Sequence, residues 1–252
     1  MVRVIIHGSS GRMGGVLSFM ARENTDIKIV AGVDRRQSAK EFPVYSSIKD
    51  VKEEADAVID FSNADAIDEL LDVCVEKKLP VVLCTTGLSD EQIDRVQEES
   101  KKIPILRSAN MSIGINLLLG LVEEASAALK GKGYDIEIIE KHHRHKLDAP
   151  SGTAIEFAEA CEDGLGEMCD FVYDRSGRRE ERADNEIGIS AIRGGSITGE
   201  HEVIFAGVDE VISFSHTAYS REIFAKGALA AARFLVGKKP KLYTMRDVVR
   251  VR

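Results

Sequence analysis

The chain has 252 residues, 44% hydrophobic and 30% charged, with a formal net charge of -8. That balance describes a globular protein with material for one large domain or two modest ones, and it argues against a general nucleic-acid binder. The longest apolar run, residues 113–122, is broken by glycines and too short to cross a bilayer, so no membrane association is expected.

The amino terminus reads as a strand rather than a signal peptide. Val2 to Ile6 runs into Gly8-Ser9-Ser10-Gly11-Arg12-Met13-Gly14, followed by the apolar residues of a helix. Strand, glycine turn and helix is the arrangement in which backbone N–H groups approach a pyrophosphate at a helix start. The spacing is GxxGxxG rather than GxGxxG. A second strand, Ile27 to Val33, ends in Asp34-Arg35-Arg36, about 20 residues beyond the last glycine, where a ribose-reading residue is expected. Asp34 would accept hydrogen bonds from ribose hydroxyls and an adjacent Arg would pair with a 2′-phosphate, so NADH and NADPH both fit.

Strand and helix then alternate. Residues 57–61 and 80–84 read as strands, 65–77 as a helix, 89–102 as a helix with a Ser89–Gln92 capping box, and 103–106 as a strand. This order argues a parallel sheet wound by helices, with ligands outside the carboxyl ends of its strands. Phe61, Thr85, Thr86 and Asn110 fall at that edge. For Phe61, core packing is an equal reading.

A helix over 113–130 leads to an alternating strand, 134–140, and then to Glu140-Lys141-His142-His143-Arg144-His145-Lys146-Leu147-Asp148-Ala149-Pro150-Ser151-Gly152-Thr153-Ala154. Three histidines and basic side chains precede a helix start at Ser151, Gly152 and Thr153, whose unpaired N–H groups suit a carboxylate. The simplest reading is a site for a small dicarboxylate. A metal is not expected, because no Cys or spaced carboxylate accompanies the histidines and the interleaved cations would repel a dication. Residues 174–182, mixed in charge, read as an exposed and mobile loop. Residues 187–193, 202–205 and 210–214 read as a strand meander forming a second, mixed sheet whose open face self-association would cover. A helix over 220–236 closes the fold. Cys74, Cys84, Cys161 and Cys169 form no CxxC pair and read as reduced thiols, which makes the cytoplasm the expected compartment. His201 and His216 read as packing or interface residues, and His7 has no assigned role.

Taken together, the glycine turn, the histidine motif, Arg193-Gly-Gly-Ser-Ile-Thr-Gly-Glu-His201 and Leu242-Tyr-Thr-Met-Arg-Asp-Val248 strongly resemble the dihydrodipicolinate reductase family. The resemblance implies an α/β fold: a Rossmann-like doubly wound parallel sheet over 1–112, completed by 222–252, and a smaller α+β substrate-binding and oligomerisation domain over 113–221. It implies reduction of a cyclic unsaturated imine dicarboxylate by NADH or NADPH, giving tetrahydrodipicolinate in the diaminopimelate route to lysine. His142 would be the general acid/base and Lys146 the ammonium donating to developing charge. His143, Ser151, Gly152 and Thr153 would hold substrate carboxylates, and His145 would orient the motif. Gly8, Ser9, Ser10, Gly11, Arg12 and Met13 would meet the pyrophosphate, and Asp34 and Arg35 the ribose. Cys84, Thr85, Thr86, Ser108, Ala109, Asn110 and Met111 would lie near the nicotinamide half, with Phe61 also on the cofactor edge. The family often has Gly at Cys84, Phe at Met111 and Glu at Asp34. The expected assembly is a homotetramer. A catalytically silent dinucleotide sensor, or a related dehydrogenase of another small di-acid, is the alternative.

Overall fold

A computed structural model describes residues 1–23, 25–36 and 40–249. The last three residues of the expected closing segment lie outside that set. The chain divides into two compact units, Met1–Ile113 with Arg221–Arg252, and Gly114–Ser220.

The first unit is a parallel sheet of seven strands: β1 (Val2–His7), β2 (Ile27–Val33), β3 (Val44–Tyr45), β4 (Ala57–Asp60), β5 (Val81–Leu83), β6 (Pro104–Arg107) and β12 (Lys241–Tyr243). Their order is β12-β6-β5-β4-β1-β2-β3. Parallel strands covered on both faces read as continuous apolar runs, because alternate side chains enter different cores. Val4 and Ile6 join the core under α1 (Arg12–Arg22) and α6 (Glu222–Leu235). Ile5 enters the opposite core, beneath α2 (Ile67–Glu76) and α3 (Asp90–Ser100). The Ser89–Gln92 capping box is present at the start of α3.

Helix α6 packs through small residues, with Ala225, Ala228, Ala231 and Ala232 fully buried. At Gly227 a Cβ would sit 1.6 Å from the Met111 carbonyl oxygen, so this crossing requires glycine. The terminal strand β12 extends the sheet edge beside β6 and is followed by helix α7 (Met245–Val249). Neither they, nor the two-residue β3, nor the three-residue β8 (Asp170–Val172) is separable from the sequence pattern, since segments this short carry no period.

The second unit is a mixed sheet of β7 (Asp135–His142), β8, β9 (Glu186–Arg193), β10 (Gly199–Ala206) and β11 (Val211–Ala218), ordered β11-β10-β7-β9-β8. Helices α4 (Ile113–Leu129) and α5 (Gly152–Leu165) supply the residues that cover one face, around Ile136, Ile138, Phe157, Val203 and Phe205. The 174–182 segment, expected as an exposed and mobile loop, is irregular, but three of its four arginines are anchored. Arg175 reaches both Glu137 and Glu186, Arg178 pairs with Glu186, and Arg182 pairs with Asp135 and donates to the Glu186 carbonyl. Acidic residues on β7 and at the start of β9 make the segment a clasp, a pairing that local composition does not reveal.

Candidate active site

Alternation along β7 builds the chemistry directly. Ile136, Ile138, Glu140 and His142 all point to the helix-covered face and all are buried. Neighbouring strands match them row by row: Ile136 with Phe205 and Ile187, Ile138 with Val203 and Ile189, Glu140 with His201 and Ala191, His142 with Arg193. Two apolar rows therefore give way to two polar rows, beside the start of α5.

Glu140 is the hub of those polar rows. Its carboxylate is 0% exposed and accepts from His142 Nδ1 at 2.6 Å, from the Ser151 backbone N–H at 3.0 Å, and from both terminal nitrogens of Arg193 at 2.7 and 2.6 Å. Burial alone would raise its pKa, but Arg193, His142 and the Ser151 N–H together hold it below the usual carboxylate range. For His142 burial wins: it lowers the pKa, Glu140 opposes it, and Lys146 and Arg193 lower it further. His201 is pushed down to about 3, chiefly by burial and then by His142, so it is a neutral ring. Ser151 Oγ accepts the Ala154 N–H at 3.2 Å and lies 3.1 Å from His201 Nε2, to which its own hydrogen can be donated. Ser151 is thus a buried helix cap whose N–H and hydroxyl are both engaged within the protein.

Beyond His142 the motif turns outward. Gly194 N–H donates to the His142 carbonyl and Arg144 N–H to the Gly195 carbonyl, fixing the loop base. Lys146 Nζ lies 2.9 Å from Asp148 Oδ2, and the ammonium holds the Asp148 carboxyl below its ordinary range. His143 Nδ1 is buried with no hydrogen-bond partner among the described residues. His143 and His145 stand with ring centroids 6.4 Å apart. Gly152 is exposed and Thr153 half-buried in the first turn of α5.

In the first unit, Gly8, Gly11, Asp34, Arg35, Phe61 and Ser62 line a cleft of about 520 Å³ at the carboxyl edge of the sheet. Gly8 adopts φ +83°, and a Cβ there would lie 2.5 Å from the Phe61 carbonyl oxygen. At Gly14 a Cβ would meet the Gly8 and Ser9 carbonyl oxygens at 2.5 Å. Asp34 accepts N–H bonds from Ser10 and Arg36, both at 2.9 Å, which ties the glycine turn to the end of β2. Ser10 Oγ donates to the Arg36 carbonyl at 2.7 Å. Thr85 is buried and Thr86 exposed after β5. Ser108 Oγ donates to the Asn110 carbonyl and Asn110 Oδ1 accepts from the Ser112 N–H, closing the turn after β6. Met111 and Cys84 have buried side chains within the α1–α6 core.

Residues 2–111 match the family model described as dihydrodipicolinate reductase, N-terminus, and residues 114–249 match its C-terminus counterpart. The chain belongs to the dihydrodipicolinate reductase family. It is 56% identical over 250 residues to 4-hydroxy-tetrahydrodipicolinate reductase of Caldanaerobacter subterraneus subsp. tengcongensis, spanning 99% of both chains. The Clostridium tetani protein of the same name is 49% identical, over 97% of this chain and 96% of that one. The dipicolinate-bound dihydrodipicolinate reductase from Paenisporosarcina sp. TG-14 shares the fold at TM-score 0.82 and 24% identity, over 97% of each chain. The activity is accordingly that of an NAD(P)H-dependent reductase of 4-hydroxy-tetrahydrodipicolinate, in lysine biosynthesis through diaminopimelate.

The first unit fits a dinucleotide. Its glycine turn packs against the end of β4 at Phe61, and the Gly11 N-cap contributes no side-chain cap to the 11-residue α1. Those are the features of a surface made for phosphate oxygens at a helix start. Among the described residues no cluster of His, Cys, Asp and Glu is arranged to hold a metal ion.

The sequence motifs contain Glu140 and Arg193 but assign neither a role, and none is assigned to His7. The signal for Glu140 was present: it stands two residues before His142 on an alternating strand, and so shares its face. Arg193 reaches Glu140 only through the β7–β9 pairing, across 53 residues of chain.

Proposed function

We propose that His142 and Lys146 supply the proton side of the reduction, while His143, Gly152 and Thr153 hold the substrate carboxylates on a helix start capped by Ser151. The cofactor residues are Gly8, Ser9, Ser10, Gly11, Arg12 and Met13 at the pyrophosphate, and Asp34 and Arg35 at the ribose. Phe61, Cys84, Thr85, Thr86, Ser108, Ala109, Asn110 and Met111 serve along the rest of the dinucleotide, with buried Cys84 and Met111 acting through their backbone. Bound NADH or NADPH supplies the hydride.

The observation that carries this reading is the Glu140–His142 hydrogen bond of 2.6 Å. With Nδ1 committed to Glu140, Nε2 is the ring atom left to exchange a proton. Hydride addition to a conjugated C=C–C=N system drives negative charge toward the ring nitrogen, where a positioned acid lowers the barrier. Burial keeps His142 deprotonated more readily than a free histidine, and a dicarboxylate bound beside it raises its proton affinity again. Protonation is thereby favoured when substrate is present. Lys146 places a fixed positive charge on the same loop, and the orphan His143 Nδ1 is a group for which a carboxylate oxygen is a suitable partner.

Residues 1–112 with 222–252 serve as the cofactor domain and 113–221 as the substrate and assembly domain. Val211 on edge strand β11 and Ile192 on β9 are exposed on the sheet face that the helices leave uncovered, which supports a homotetramer built on that face. Four free cysteines, three of them buried, agree with a cytoplasmic setting.

Steady-state oxidation of NADH with the substrate generated in place tests the assignment. Lys146→Ala should lower kcat by roughly 10²- to 10⁴-fold with cofactor affinity near normal, and Thr153→Ala should mainly raise the substrate KM. An unchanged rate in the first, or a pure kcat loss in the second, removes that residue from its role.

A further inference from the structure

The first unit contains a second buried carboxylate hub, and its place in the sheet gives it a task. His7 ends β1, Asp60 ends β4, and Thr85 stands two residues past β5, on three adjacent strands. Asp60 is 0% exposed. Its Oδ1 accepts from His7 Nδ1 at 2.7 Å, from Ser62 Oγ at 2.6 Å and from the Ser62 backbone N–H at 3.3 Å, and its Oδ2 accepts from Thr85 Oγ1 at 2.6 Å. The backbone ladder closes at the same level: Phe61 N–H donates to the His7 carbonyl and Cys84 N–H to the Asp60 carbonyl.

Packing alone does not call for this cluster. The preceding row on the same face is Ile5, Val58 and Val81, all buried and apolar. A carboxylate in such a place is costly unless its partners are worth holding. Each partner adjoins a turn assigned above to the cofactor: Gly8 follows His7, Phe61 and Ser62 follow Asp60, and Thr86 follows Thr85. The fit between the first two turns is already close, with no room for a Cβ at Gly8 against the Phe61 carbonyl. His7 also lines the cleft, together with Asp34, Ser47, Asp65 and Glu69.

We infer that Asp60 and His7 are positioning residues for the nicotinamide cofactor: the carboxylate locks the glycine turn, the Phe61–Ser62 turn and the Thr85–Thr86 turn at one spacing. The dinucleotide then meets a preformed surface instead of ordering it at the expense of affinity. The inference rests on the reading of this cleft as the cofactor site.

The test uses the full-length enzyme, with NADH binding followed by fluorescence and turnover by NADH oxidation. Asp60→Asn and His7→Ala should each raise the Kd and KM for NADH about tenfold, the size of one charge-assisted hydrogen bond, with kcat within about threefold and the substrate KM unchanged. His7→Asn, whose amide can donate to Asp60 in place of Nδ1, should recover to within about threefold of wild type. If Asp60→Asn does not fold, Ser62→Ala removes a single donor to Asp60 and should move KM for NADH in the same direction. Cofactor constants within about twofold of wild type in these variants, a kcat loss without a KM change, or no rescue by asparagine would overturn the inference. Asp34→Ala in the same series separates the two readings. An unaltered NADH/NADPH ratio there sinks the cleft assignment itself, and with it this inference. A shifted ratio with silent Asp60 and His7 variants sinks only the positioning role.

Discussion

Glu140→Gln tests the centre of the substrate-side chemistry, because it keeps the volume and removes the charge. The carboxylate accepts four hydrogen bonds, two of them from one guanidinium. An amide has a single acceptor oxygen, so its N–H face must be turned toward His142, Ser151 or Arg193. Hydrogen bonds to charged groups contribute about 1.5–3 kcal/mol each, and stranding one partner of a buried pair costs about 3–5 kcal/mol. Arg193 keeps 20% of its side chain exposed, which places the loss at the lower end, about 3 kcal/mol, or roughly 6–12 °C in Tm for a chain of this length. Turnover should fall about 10- to 100-fold, less than for removal of the acid itself, because His142 remains but is no longer held. The sign of the pH effect is the sharper result. Glu140 raises the His142 pKa against the lowering imposed by burial. Without it, the limb of the kcat profile that reports His142 should move to more acid pH. A limb that stays in place or moves to higher pH would refute the orienting role, whatever happens to stability.

Asp34→Ala should shift preference toward NADPH, since the carboxylate that repels a 2′-phosphate is gone and Arg35 stays; kcat/KM for the two cofactors measures it. Losing the Asp34 bonds to Ser10 and Arg36 should also weaken binding of both. His201 makes the fold acid-sensitive. Its pKa falls from 6.5 unfolded to about 3 folded, so the unfolded state binds the extra proton in between. Stability from this residue is therefore full above pH 6.5 and is lost toward pH 3, at about 1.4 kcal/mol per pH unit. His201→Gln should lose about 2 kcal/mol less than wild type between pH 7 and pH 5 in urea unfolding, and equal losses would contradict it.

Most of the fold was legible because its strands are apolar and its turns are marked by glycine. Residues 27–33 match β2 at both ends, and the Ser89–Gln92 box places the start of α3 within one residue. The carboxyl-edge convergence of Gly8, Asp34, Phe61 and Thr85 followed from strand order alone. Contacts that depend on sheet pairing were not legible. Arg193 meets Glu140 because β9 lies beside β7, and Arg175 reaches Glu137 from the segment after β8; no local pattern announces either neighbour. His7 has no role legible in the sequence for the same reason: its partner is 53 residues away. Ser151 is expected from its position to hold a carboxylate; what its position does not tell is that its N–H and hydroxyl also engage Glu140, Ala154 and His201.

The fifteen-residue motif is mechanically two things. Its first three residues belong to a strand hydrogen-bonded on both sides, while Arg144, His145, Leu147, Asp148 and Ala149 are exposed turn residues, Leu147 almost fully so. Amide deuteration should divide the motif there, with the Glu140 and His142 amides exchanging only when the sheet opens and those of 144–149 exchanging through local fluctuation. A ligand that engages Lys146 would slow exchange in the second half alone. One segment thus keeps its proton-handling ring in the part of the fold that opens last, and its cation in a part that can yield and close.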